Sequence, residues 1–146
     1  CQDNIISWFD WDRKEQFEDI ERYFSKMIEF RKKHTILRNE DFFDYYKGNI
    51  KWHGTTPENP DWSYYCNTIA FEIDGSSMDK SEPSIYAAFN SYHEPIKFEL
   101  PKHKGKKWYR VADTAVEFPN DFTETEIEVG NSYTVQERSS VILILK

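Results

Sequence analysis

The sequence predicts a mainly β fold, an antiparallel β-sandwich preceded by one amphipathic α-helix. Three observations carry this. Residues 14–34 place apolar side chains at helical spacing, the one convincing helix in the chain. After Leu37, short alternating segments recur with clusters of Gly, Pro, Asn and Asp between them. Aromatic residues reach 17% of 146 residues at a mean hydropathy of −0.81, so the core must be built largely from Phe, Tyr and Trp rings.

The helix comes first. Phe17, Ile20, Phe24, Met27 and Ile28 follow one another at spacings of three, four, three and one, which is one helical face. Glu15, Glu18, Asp19 and Glu21 lie toward its start and Arg31, Lys32, Lys33 and His34 toward its end, complementing the helix dipole. Asp12 is placed as the N-cap. Next, residues 41–46 and 49–53 flank Lys47-Gly48 and read as a hairpin. Residues 68–73 alternate, with Ile69, Phe71 and Ile73 on one side. Further strands are expected at 84–90, 95–101, 107–113, 131–136 and 140–146. The last has an unbroken apolar centre, Val141 to Leu145, and should be a central strand covered on both faces. Seven or eight strands with turns at this spacing make a sandwich.

Composition narrows the partners. With 19 basic and 26 acidic residues the chain carries a net charge of −7, which repels nucleic acids. No apolar run is long enough to span a bilayer, so no membrane partner is expected. Neutral ligands, sugars among them, stay open. Cys1 and Cys66 could pair, but one pair in a chain of this length favours free thiols. Beside two tyrosines, Cys66 reads as a packing residue rather than a nucleophile.

No local pattern states an enzyme. A glycine-rich phosphate loop, a CxxC pair and an HExxH motif are all missing from the sequence. His34, His53, His93 and His103 lack metal-ligand spacing, so neither metal nor cofactor is expected. Asp3, Asp10 and Asp12 sit among rings at the start of the chain. Glycoside hydrolysis needs two carboxylates across a sugar, but helix capping and surface charge explain these three more simply. Trp52 and Trp62 flank the TTPENPDW loop, with Tyr64 and Tyr65 behind it. Rings beside a loop can stack on sugar faces; rings at strand ends also pack into cores.

The motifs say more than the periodicity. CQDNIISWFDWD (1–12) resembles the C-Q-D-N-E-I-S-W segment of the glycogen-debranching, isoamylase-type glycoside hydrolases of the α-amylase superfamily. MIEFRKKHTILR (27–38) is similar to that family's final barrel helix. IKWHGTTPENPDWS (50–63), YAAFNSYHEPIKFELP (86–101), WYRVADTA (108–115) and YTVQERSSVILI (133–144) resemble its later segments in the same order. The resemblance runs over essentially the whole chain and implies a division into residues 1–36, the end of a (β/α)8 barrel with its active-site loop and last helix, and residues 37–146, the C-terminal sandwich.

It also implies a parent enzyme that hydrolyses α-1,6-glucosidic branch points of glycogen or starch by the retaining route, in the cytoplasm. No position here matches the family's three catalytic carboxylates, so the chain alone is not expected to be active. Asp3, Asn4 and Trp8 carry over as substrate contacts, joined by Trp52 and Trp62 on the sandwich, while Trp11 is expected to be structural. Ile5 departs from the family's Glu. The implied partners are an α-glucan, the upstream barrel and, through an exposed helix face, a second copy. The rival is a free-standing carbohydrate-binding module. Such a module would bury the stripe of Phe17, Ile20, Phe24, Met27 and Ile28 on its own sheet; a barrel helix would leave part of it exposed.

Overall fold

The computed structural model describes residues 2–44, 47–77 and 79–146, with the backbone alone at residues 124 and 126. One helix, α1 (Glu18–Lys33), precedes the strands β1 (Ile50–His53), β2 (Thr68–Ile73), β3 (Ile85–Asn90), β4 (Ile96–Glu99), β5 (Trp108–Asp113), β6 (Phe122–Val129), β7 (Ser132–Val135) and β8 (Ser139–Leu145). Six strands form an antiparallel sheet in the order β1-β2-β3-β8-β5-β6, and β4 pairs with β7 in a second sheet.

Alternation sorts the side chains into two cores, one on each face of the large sheet. Ala70, Tyr86, Ala88, Trp108, Val141, Leu143 and Leu145 face the small sheet, whose Phe98 and Val135 close over them together with Leu100. On the opposite face Ile73, Ile85, Val111 and Ile144 meet Phe30 of α1 and Ile36 of the short 3-10 turn that follows it. A bulge in β5 between Arg110 and Ala112 turns both Val111 and Ala112 to this helix side. The expected central strand holds: β8 lies between β3 and β5 and feeds both cores.

Three expectations need correction. Residues 41–44 form no strand, and β1 pairs with β2 rather than with a hairpin partner; the remaining residues of that segment, Tyr45 and Tyr46, lie outside the described residues. The second is a strand that the pattern did not announce, β6, an edge strand paired only with β5 whose sequence FTETEIEV is dominated by Thr and Glu. Edge strands need no apolar alternation, since one flank and much of one face meet water. β2 forms where expected, with Phe71 and Ile73 together on the helix side, while Ala70 and Glu72 are buried on the other. Finally, Asp12 does not cap α1. Its own N–H donates to Asp10 Oδ1 at 3.2 Å, two 3-10 turns follow, and α1 starts after Phe17 without a side-chain cap.

Polar ties fasten α1 to the sandwich at both ends. Near its start Arg22 donates to the Pro119 carbonyl and to Asp121 Oδ1 (2.6 Å), with its guanidinium carbon 5.0 Å from the centre of the Phe118 ring. At its end His34 Nδ1 lies 2.8 Å from Glu82 Oε1, and Thr35 Oγ1 donates to Glu82 Oε2 at 3.3 Å. The docked face is Tyr23, Met27 and Phe30. The stripe read from the sequence mostly points away from it: only Met27 packs inward, whereas Ile20 is 50%, Phe24 64% and Ile28 53% exposed.

Candidate functional site

Two aromatic surfaces stand out. The first is the segment before α1. Asn4 organises it: its carbonyl accepts from the N–H groups of Ser7 (3.0 Å) and Trp8 (3.1 Å), and its Oδ1 accepts from Ile6 N–H at 3.0 Å. That turn carries Trp8 back over Asp3, and the indole Nε1 donates to Asp3 Oδ1. Asp3, Asn4 and Trp8, singled out separately from the sequence, therefore form one hydrogen-bonded unit. Trp8, Phe9 and Trp11 remain exposed and, with Phe17 and Ile20, line an open depression of about 630 Å³. Trp11 touches Phe9 edge-on, with centroids 4.8 Å apart, and is not packed into any core. Ile5, the departure from the family pattern, is exposed as well.

The second surface is the loop between β1 and β2. It folds back sharply at Gly54, where a Cβ would stand 2.2 Å from the Asn59 carbonyl oxygen, so no larger residue fits. Glu58 takes a left-handed backbone (φ 57°), fixed by its N–H donating to His53 Nδ1 at 2.8 Å. Thr55 O accepts from Glu99 N–H (2.8 Å), which ties the loop to β4. Trp52 is half-buried and meets Trp62 and Phe71 edge-on at 5.5 and 5.7 Å. Trp62 itself is 65% exposed. Tyr64 and Tyr65, just behind the loop, occupy the middle of a turn closed by Cys66 N–H to Ser63 O at 3.1 Å. The sequence placed them beside the loop without marking them as contacts; turn centres normally hold Gly, Asn, Asp or Pro. Cys66 is half-buried, with its Sγ 3.1 Å from the Thr68 carbonyl oxygen, in keeping with a packing role.

A third cluster is buried and structural. Glu72 lies between His103 Nε2 (3.0 Å) and His53 Nε2 (3.9 Å, too long for a hydrogen bond), and the His53 ring lies 5.8 Å from the Tyr86 ring. Burial holds Glu72 above the usual carboxylate range despite His103, raises the Tyr86 hydroxyl, and drives His53 down to about 4. Among the described residues Tyr86 Oη and His53 Nε2 have no hydrogen-bond partner. Nor do those residues bring together three His, Cys, Asp or Glu side chains able to hold a metal ion. Among the described residues no helix is long and apolar enough to cross a membrane.

Comparison with known proteins agrees with this architecture. Residues 51–143 match the family model "Isoamylase 1-3, C-terminal". Isoamylase SU1, chloroplastic, of Zea mays is 35% identical over 160 residues, which cover 100% of this chain and 20% of the maize protein. The isoamylase of Flavobacterium sp. is 34% identical over 162 residues, covering 99% of this chain and 21% of that protein. The chain thus spans about a fifth of the length of these relatives. Among solved structures, the pullulanase from Bacillus acidopullulyticus superposes with a TM-score of 0.69 at 26% identity, over 95% of this chain and 15% of that one. The type I pullulanase from Bacillus subtilis, complexed with maltose, shares the fold with a TM-score of 0.65 at 20% identity, over 92% of this chain and 17% of that one. A β-rich domain whose motifs and sheets both coincide with these debranching enzymes belongs to the isoamylase C-terminal domain family.

Proposed function

We propose that this chain is the C-terminal part of an enzyme that hydrolyses α-1,6-glucosidic branch points, and that its sandwich holds the last helix of a (β/α)8 barrel in place. One observation carries the reading. The face of α1 formed by Ile20, Phe24 and Ile28 is turned away from the sandwich, while Phe30 and Ile36 are locked into it. A free-standing module gains nothing from such a stripe; a helix shared between two packed bodies requires it.

The first surface then acquires a role. In this reading the Asp3–Asn4–Trp8 unit borders the substrate cleft, where an indole held by a carboxylate can stack on a pyranose and amide groups can orient hydroxyls. Trp11 and Phe9 belong to the same border. The catalytic carboxylates come from the upstream barrel, and the chain alone is inactive. An α-glucan is the substrate class, supported by the maltose in the Bacillus subtilis neighbour. The cytoplasm as its location is part of the same proposal.

Release of reducing ends tests this directly. Full-length protein, with barrel and sandwich together, is expected to cleave amylopectin and leave linear maltoheptaose intact, while the 146-residue chain hydrolyses neither glucan. Hydrolysis by the chain alone, or a full-length protein active only on linear chains, would overturn the reading.

A further inference from the structure

We propose that Trp62, Tyr64 and Tyr65 form a stacking surface for an α-1,4-linked glucan chain on the sandwich itself; the choice of ligand class rests on the debranching reading above. Tyr64 is 94% and Tyr65 84% exposed, on a turn whose backbone is held without them. Asp61 Oδ1 accepts from Ser63 N–H (2.8 Å), Cys66 N–H closes the turn onto Ser63 O (3.1 Å), and Asn67 Nδ2 donates to the Tyr65 carbonyl (3.0 Å). Asn67 O in turn accepts from both N–H and Oγ of Ser91, so the turn is pinned to the end of β3. None of these bonds uses a tyrosine ring. The fold keeps two large rings in water on a rigid support, where Gly, Asn or Asp would serve the turn better.

The geometry suits a sugar chain. The two tyrosine rings stand 5.3 Å apart at 87°, so one plane can lie against a pyranose face while the other offers its edge and hydroxyl to the sugar rim. Trp62 adds a third ring, propped edge-on at 72° by Trp52. Polar groups surround them, and the Asp61 carboxyl is held ionised by the Ser63 bonds, an acceptor for sugar hydroxyls. The net charge of −7 disfavours an anionic ligand. Position separates this surface from the joint with the upstream barrel. The turn precedes Thr68 at one end of β2, whereas α1 packs on the other end around Ile73, roughly 17 Å away along the strand.

Isothermal titration of maltoheptaose into the chain tests the proposal. The unaltered chain is expected to bind it, and the double variant Tyr64→Ala/Tyr65→Ala to bind about tenfold more weakly with its thermal midpoint unchanged, because neither ring packs in a core. Equal affinity of variant and unaltered chain, or no binding by either, would overturn it. A midpoint lowered only in the full-length variant, with affinity unchanged, would overturn it too and assign the rings to a contact with the upstream domain. Branch-point hydrolysis by full-length protein without maltoheptaose binding by the chain removes this surface and leaves the debranching reading intact; binding without hydrolysis does the reverse.

Discussion

Replacing Phe98 by Ala is expected to lower the stability of the chain by about 3–5 kcal/mol. Phe98 is fully buried and comes from β4, one of only two strands in the small sheet. It is the largest fully buried side chain that this sheet sends into the core shared with Tyr86, Ala88, Val141 and Leu143. The strands that carry those four residues, β3 and β8, are paired on both flanks and cannot collapse into the space left behind, so the cavity stays open. Against a total stability of roughly 5–15 kcal/mol, such a loss populates the unfolded state. Urea denaturation at neutral pH reads the effect, and Phe98→Leu should recover much of it. A loss below about 1 kcal/mol, the range of tolerated swaps, would mean that the small sheet is not the lid that closes this core.

Acid is expected to weaken the fold through His53. Burial, aided by Lys51 and His103 and opposed by Glu58, holds this imidazole at about 4 in the folded state against 6.5 in the unfolded chain. Between those values the unfolded chain binds the extra proton, so stability falls as pH drops from 6.5 toward 4, by up to about 3 kcal/mol. Glu72 works in the opposite direction. Its carboxyl is raised by burial, so the folded state takes up its proton first and part of the loss is offset at the acid end of the window. The structural consequence is local: protonated His53 can no longer accept from Glu58 N–H, the bond that fixes the left-handed residue in the loop leading to Trp62. His53→Gln keeps an acceptor but does not titrate. Its urea midpoint should change less between pH 6.5 and pH 5 than that of the parent chain; an identical change would assign the acid sensitivity to another group.

Much of this fold was legible because the residues that build it repeat at a fixed period. β8 announces itself by five consecutive apolar residues, Val141 to Leu145, and a strand apolar on both faces has nowhere to sit but the middle of a layered sheet. β6 was invisible for the complementary reason, since an edge strand can be mostly Thr and Glu. The helix was legible but its orientation was not. Ile20, Phe24 and Ile28 give the stronger apolar stripe, yet Tyr23, Met27 and Phe30 make the contacts, guided by Arg22 and His34 reaching residues 99 and 48 positions downstream. Pairings at that distance leave no local signal. At the candidate sites, motif order located Asp3, Asn4 and Trp8, whereas the Trp8–Asp3 bond and the outward tyrosine turn needed the backbone.

The central claim is that α1 serves two bodies at once, and one substitution measured in two settings tests it most directly. Phe24 is 64% exposed on the chain, so Phe24→Asp should change its urea-derived stability by less than about 0.5 kcal/mol. In full-length protein the same side chain is held to be buried against the barrel, where a carboxylate without a partner costs several kcal/mol or is forced to take up a proton. The account predicts a near-silent variant on the chain and a full-length variant whose midpoint falls sharply, with loss of debranching activity. A small and equal change in both would contradict it, and would leave α1 as a helix that belongs to the sandwich alone.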